Sequence, residues 1–336
     1  MKNIILITDP NEDPDDLVAL IFASALIKTE KINLLGVVST VGTDHTRVNR
    51  AKYAKGVLAN LKTNVPVCVG DRYIIDYETR RLQDDIFIDS KQLPKLLELG
   101  AEVETDADKF ITNLLTNAED NSVTIVDIAG MTDLANMMKN HSKLFNQKVA
   151  EICLMSNFNK EKQGDKYEPD LNAHNNQIDV DSTNYVYEYV QKNNITTYVM
   201  NSKNTKKVPV SMKYYEDLKA NGGILANHAC DIQKVGLKQH YDNILIGKAE
   251  PKYTMEWFYK TFTTYKTYEQ RDFDTVWRHV DRLYLYDPLT MLIAIDEYRN
   301  SYFDETSYGV LKLCSPKEID KIYKLFVDLP KIAINY

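Results

Sequence analysis

Five acidic residues, Asp9, Glu12, Asp13, Asp15 and Asp16, fall within eight positions between an apolar run, Ile4 to Thr8, and a helix-spaced segment. Carboxylates that close repel one another unless protons or a cation relieve them. An oxygen-only donor set suits a hard cation such as calcium or magnesium, whereas zinc would call for the His or Cys that this segment lacks. A structural alternative also exists, because Asp near a helix start caps free N–H groups and is stabilised by the macrodipole. Near the far end of the chain Asp287 stands in a similar setting, after Arg282 to Tyr286 (RLYLY) and before Pro288 and the helix-spaced LTMLIAI. That context again reads as strand end, Asp and helix start, so Asp287 could meet Asp9 and Asp16 in space.

The elements that must position these residues alternate. Ile4 to Thr8, Ile32 to Thr40, Val65 to Gly70, Val123 to Gly130, Glu151 to Ser156 and Thr196 to Ser202 read as strands. Between them lie helix-spaced stretches: Asp15 onward, His45 to Leu61, Lys109 to Ala118 and a helix from Thr132. The charged stretch Asp71 to Thr105 reads as a mobile connection. Such alternation implies parallel strands with crossover helices, here an α/β fold with a doubly wound, mostly parallel sheet. Beyond Val208 helical patterning dominates and predicts helices covering the carboxyl edge of the sheet. We expect one domain over residues 1–336, with a Rossmann-like core in 1–202 and a helical part in 203–336 that supplies Asp287. In open parallel sheets ligands sit outside the carboxyl ends of the strands, where Asp9 falls.

Composition narrows the partner. The 336 residues carry a formal charge of −7, which argues against a binder of nucleic-acid phosphates. No apolar run approaches the roughly 20 residues that span a bilayer, and strand-like sequence starts at Asn3, so a cytoplasmic protein with a small-molecule partner is expected. The four cysteines stand far apart with no CxxC pair, pointing to buried free thiols.

The segment TDPNEDPDDLVAL resembles the N-terminal motif of the inosine-uridine nucleoside hydrolases, Asp-x-Asp-Pro-Gly-x-Asp-Asp followed by an Ala-rich helix. The likeness continues in order. LLGVVSTVG is similar to the family's second strand, VTIVDIAGMTDLAN to the segment ending Gly-Gly-Leu-Thr-Asn, EICLMS to the Met-Gly-Gly strand, NNQIDVDSTNYVY to the Asn-x-x-x-Asp-Pro-Glu-Ala-Ala region and LYLYDPLTMLIAI to the His-Asp-Pro segment. The resemblance implies a nucleoside-hydrolase-like domain that uses one calcium per chain to release base and ribose from a nucleoside or related riboside, in nucleoside salvage, as a homodimer or homotetramer. It makes Asp9, Asp16, Asp287 and the backbone carbonyl of Ile128 calcium ligands, Asp15 the carboxylate that grips the ribose hydroxyls, and Asp9 the general base.

The departures from the family pattern bear on mechanism. Ile7 replaces the first Asp, and Asn11 and Glu12 stand in place of a Gly in a loop one residue longer. Thr43 replaces a ribose-binding Asn, Asn175 is what remains of a Glu-x-Asn that holds the 5′ side, and Asn157 stands near another sugar-binding Asn. Tyr286 occupies the position of the leaving-group His found in one branch; a phenol with pKa near 10 is a poorer acid at neutral pH than imidazole. His174 and, more weakly, His279 are alternative acids. Tyr286, Trp257 and Trp277 could instead stack on a base. Two other readings remain: a non-catalytic, calcium-dependent riboside-binding protein, and a haloacid-dehalogenase-type phosphatase. The latter needs a second Asp two positions after the first, where Asn11 stands.

Overall fold

The computed structural model describes residues 1–11, 13–71, 87–220, 223–249 and 251–335. The first six strands are β1 (Lys2–Thr8), β2 (Ile32–Ser39), β3 (Val67–Val69), β4 (Val123–Asp127), β5 (Val149–Met155) and β6 (Thr196–Met200). They pair in parallel, and β7 (Phe303–Tyr308) and β8 (Leu311–Pro316) complete an eight-stranded sheet of order β3-β2-β1-β4-β5-β6-β8-β7. Only the β7–β8 pair is antiparallel. This hairpin is absent from the sequence reading: its edge strand, FDETSY, is mostly exposed and carries little apolar signal.

Strand order reverses at β1, which lies between β2 and β4 in register Ile7↔Val38 and Ile7↔Asp127. The crevice outside the carboxyl ends of β1 and β4 is the topological switch point, where open α/β sheets take their ligands. Alternate residues of β1 feed two apolar layers: Ile4 and Leu6 enter one cluster, Ile5 and Ile7 the other. The two layers cover opposite faces of the sheet.

Helix α1 (Asp15–Lys28) is buried from Asp15 to Leu26, on every side rather than along one stripe, as a helix in the middle of a large core must be. It packs against the helix Asp287–Ile293, all of whose residues are buried, and against the C-terminal helix Ile319–Asn335. Helix α2 (Asp44–Asn60) meets α3 (Leu93–Leu99) so closely that a Cβ on Gly56 would lie 1.8 Å from the Leu96 carbonyl oxygen. Helix α3 lies inside the stretch expected to be a mobile connection, which is a correction. Residues 72–86 of that stretch lie outside the described residues. A second correction concerns RLYLY, expected as a strand: Leu283 makes one isolated antiparallel bridge to Val210, because the sheet edge is already taken by β8. The C-terminal part is largely helical but also supplies β7 and β8.

Candidate functional site

The loop after β1 turns through Asn11, which is fully buried with φ +83°. Few L residues enter that region, Asn being among the most tolerant after Gly. Asn11 thus supplies the conformation for which the family pattern carries a Gly. Its Nδ2 donates to the Ile88 carbonyl at 2.9 Å and the Ile88 N–H donates to the Asn11 carbonyl at 3.0 Å, docking the loop on the chain before α3.

Asp15 and Asp16 open α1, and Asp287 opens the helix packed against it, so two positive helix ends converge on one point. Hydrogen bonds knit the acids together. The Tyr286 N–H donates to Asp15 Oδ2 at 3.1 Å and the Asp16 N–H to Asp15 Oδ1 at 3.2 Å. The Asp9 N–H donates to Asp16 Oδ1 at 3.2 Å, and the Thr8 hydroxyl donates to that same oxygen. Asp9, Asp15, Asp16 and Asp287 are buried. Carboxylate oxygens of Asp13, Asp15 and Asp16 come within 4.8 Å of one another, with Asp13 exposed at the mouth. Asp13 is a member of the cluster to which the sequence reading gave no role.

Burial, reinforced by the charges of Asp13 and Asp287, pushes the Asp15 carboxyl well above its usual range. Burial also raises Asp16 strongly, with Asp9 and Asp13 adding to it and the Thr8 bond opposing. Asp287 rises for the same first reason, with the charges of Asp16, Asp13 and Asp9 behind it. Such a cluster is complete only with protons or a cation, and its all-oxygen donors fit a hard divalent metal.

Asp9 differs because it faces a cation. Arg50, with no exposed surface, places Nη1 3.1 Å from Asp9 Oδ2 and donates to the Asp9 carbonyl. Burial still raises the Asp9 carboxyl, while Arg50 and then His174 oppose it. His174, which begins the short helix His174–Ile178, is exposed and close enough to Asp9 to act on it. The next residue, Asn175, donates through Nδ2 to the Ile128 carbonyl at 3.1 Å and to the Met155 carbonyl at 3.0 Å. Asp9, Ile128, His174 and Asn175 therefore share one side of the crevice.

Thr43 and Asn157 are committed to structural bonds. The Thr43 hydroxyl caps α2 by accepting from the Thr46 N–H at 3.3 Å. Asn157 donates to Asp170 Oδ2 at 2.7 Å and accepts from Asn201 Nδ2 at 2.9 Å.

On the opposite side stands a run of aromatic rings. Tyr286 lies 6.3 Å from Tyr284, which is 6.4 Å from Phe262; Trp257 follows at 5.5 Å and Tyr253 at 4.7 Å from Trp257. Burial, then the charges of Asp15 and Asp13, push the Tyr286 phenol up, so it holds its proton more tightly than a free tyrosine. Trp277 packs on Phe273 at 6.0 Å and His279 on Tyr265 at 4.4 Å; neither pairs with Tyr284 or Tyr286 among the described residues.

Two buried acids and Arg50 escaped the sequence reading. Asp127 ends β4, and among the described residues its Oδ2 has no hydrogen-bond partner; burial raises it well above its usual range, and Asp133 and Asp9 add to the rise. Asp133 lies in the first turn of the helix Thr132–Asn140, accepts from the Asp71 N–H at 2.7 Å and is pushed up to about 6 by burial. The available signals were a charge ending the apolar run VTIV and an Arg at helical spacing from Ala54 and Val57.

The chain matches the inosine-uridine preferring nucleoside hydrolase family over residues 4–321 and belongs to it. Among solved structures it is similar to the effector protein XOO4466, with 27% identity and a TM-score of 0.86 across 99% of this chain and 93% of that one. It is also similar to the type III effector protein XopQ, crystallised with adenosine diphosphate ribose, at 28% identity and TM-score 0.85 across 99% and 92%. The purine-preferring ribonucleoside hydrolase from Gardnerella vaginalis shares the fold, at 14% identity and TM-score 0.63 over 99% and 100%. No curated protein matches the chain. Among the described residues no helix is long and apolar enough to cross a membrane.

Proposed function

We propose that this chain hydrolyses the N-glycosidic bond of a ribonucleoside or related N-riboside with the help of one divalent cation, calcium by family resemblance. The observation that carries the reading is the convergence of Asp9, Asp15, Asp16 and Asp287 at the switch point, facing the Tyr286 aromatic run. Asp16, Asp287, Asp9 and the Ile128 carbonyl would hold the cation, with Asp13 a further donor at the mouth. When bound, a divalent cation orients the sugar hydroxyls and makes the attacking water more acidic. Asp15 accepts from the 2′ and 3′ hydroxyls, and by family resemblance Asn175, Thr43 and Asn157 would meet the rest of the sugar, Thr43 and Asn157 only by giving up the bonds described above. Asp9 takes the proton of the attacking water, with Arg50 fixing the direction of its carboxylate. Positive charge grows on the ribose as the bond breaks, and the surrounding carboxylates oppose its cost. XopQ in complex with adenosine diphosphate ribose supports recognition of a ribosyl compound by this branch of the fold.

A second reading, a riboside-binding protein without turnover, is favoured by one feature: the Tyr286 phenol is driven further from neutral pH, leaving the departing base without an acid at that position. Reducing-sugar release from a panel of ribosides, with and without calcium, tests the choice. Release that requires the cation supports hydrolysis, and binding by calorimetry without release supports the second reading.

A further inference from the structure

Lys206 follows the short helix Ser202–Thr205 at the carboxyl edge of β6, on the side of the sheet where the acidic cluster lies. That helix is capped by Asn201, whose Nδ2 donates to the side-chain oxygen of Asn157. Toward the other wall, the Lys206 ammonium stands 5.7 Å from the centroid of the Tyr284 ring, and Tyr284 is the neighbour of Tyr286. The cation thus stands over the aromatic side at the carboxyl edge of the sheet.

Lysine side chains on a protein surface ordinarily keep the ammonium in water. Lys206 is exposed as a residue, yet partial burial of its ammonium lowers its pKa. Lys28 is lowered by burial too, but its ammonium donates to the Ala333 carbonyl. Among the described residues Lys206 has no hydrogen-bond acceptor and no carboxylate within ion-pair distance. A cation–π contact with a tyrosine face contributes only about 0.5 to 1 kcal/mol at an exposed site, and a partly dehydrated ammonium with no acceptor is a site waiting for an anion.

We propose that Lys206, seated on Tyr284, is a specificity residue that receives a phosphate carried by the riboside, so that the preferred ligand is a phosphorylated riboside rather than a bare nucleoside. This rests on the riboside reading above and adds the class of its substituent. Acidic groups crowd the sugar end, and the cation paired there, Arg50, is held by Asp9, so an anionic substituent is better received away from them, beside Lys206.

The test is calorimetric titration of the calcium-loaded protein with adenosine, adenosine 5′-monophosphate and adenosine 5′-diphosphate, repeated on Lys206→Met and Lys206→Arg. One charge-assisted hydrogen bond corresponds to a change of about tenfold or more in affinity. At least one phosphorylated ligand should therefore bind about tenfold more tightly than adenosine, weakening as salt rises. Lys206→Met should erase that advantage while leaving adenosine affinity unchanged, and Lys206→Arg should retain most of it. Inorganic phosphate alone should compete weakly with the phosphorylated ligand and leave adenosine binding untouched. Equal affinity for adenosine and both phosphorylated forms, or an advantage that survives Lys206→Met, overturns the assignment while leaving the riboside reading intact. Failure of all three ligands to bind overturns both.

Discussion

Removing one carboxylate from the acidic cluster should change the sign of its effect on stability according to whether a divalent cation is present. In the metal-free protein Asp16 is buried among Asp9 and Asp13, and its raised pKa means that the ionised form costs free energy at neutral pH. Asp16→Asn keeps an oxygen to accept from Thr8 and from the Asp9 N–H while removing the charge, so the metal-free variant should be as stable as the parent or more so. With calcium the order inverts. A cation at about one hundred times its dissociation constant stabilises the folded state by about 2.7 kcal/mol. Unfolding entropy scales at about 2.1 cal/mol/K per residue, so a chain of 336 residues has about 0.7 kcal/mol/K, and the shift should be about 4 °C. Differential scanning calorimetry in chelator and in calcium, on the parent, Asp16→Asn, Asp287→Asn and Asp13→Asn, reads each term. The reasoning is refuted if calcium and magnesium at millimolar levels leave the parent transition unmoved, or if Asp16→Asn keeps the full shift. The Asp13 and Asp287 variants report which of those two carboxylates is a ligand. Because bound metal displaces protons from carboxylates with raised pKa values, its affinity should climb with pH, and titrations in buffers of different ionisation enthalpy should detect released protons.

Three further outcomes are expected. A 4-nitrophenyl riboside, whose leaving group needs no proton, should be cleaved much faster than inosine or uridine; Tyr286→Phe should hardly alter that rate and Asp9→Ala should abolish it, whereas equal rates on both substrate types would show another acid, such as His174, in the role. Asp133 has a folded pKa of about 6 against 3.8 for a free carboxyl, so its stabilising contribution is complete below pH 4 and is lost as pH rises through 6. Urea unfolding should show Asp133→Asn losing about 2 kcal/mol less than the parent between pH 4.5 and 7.5, and parallel pH profiles would contradict this. At Asn11, alanine and glycine both lose the side-chain bond to Ile88, but only alanine is strained at φ +83°, so Asn11→Ala should unfold about 1 kcal/mol more easily than Asn11→Gly; equal midpoints at equal m-values would remove the strain argument.

The amino-acid order by itself determined the parallel core and the place of the acids. Each strand from Ile4 to Met200 is an apolar run bounded by turn residues, and its burial on both faces writes that run into the sequence, so strand ends were legible to within two or three residues. Asp9, Asp15 and Asp16 were legible for the same reason: they lie beside one another where a strand stops and a helix starts. The hairpin Phe303–Pro316 was not, since an edge strand with exposed side chains has no apolar signature to read. Nor could local pattern reveal which partners meet the acids. The Tyr286 N–H reaches Asp15 across 271 residues and Arg50 reaches Asp9 across 41, contacts that exist only because α1 packs against the helix opened by Asp287 and because α2 presents Arg50 beneath the loop. Tertiary packing also decided which acids are desolvated, hence that Asp127 and Asp133 are raised while Asp13, a member of the same loop as Asp9, stays at the surface. Burial is a property of everything that surrounds a carboxylate, and the residues that surround these ones come from both ends of the chain.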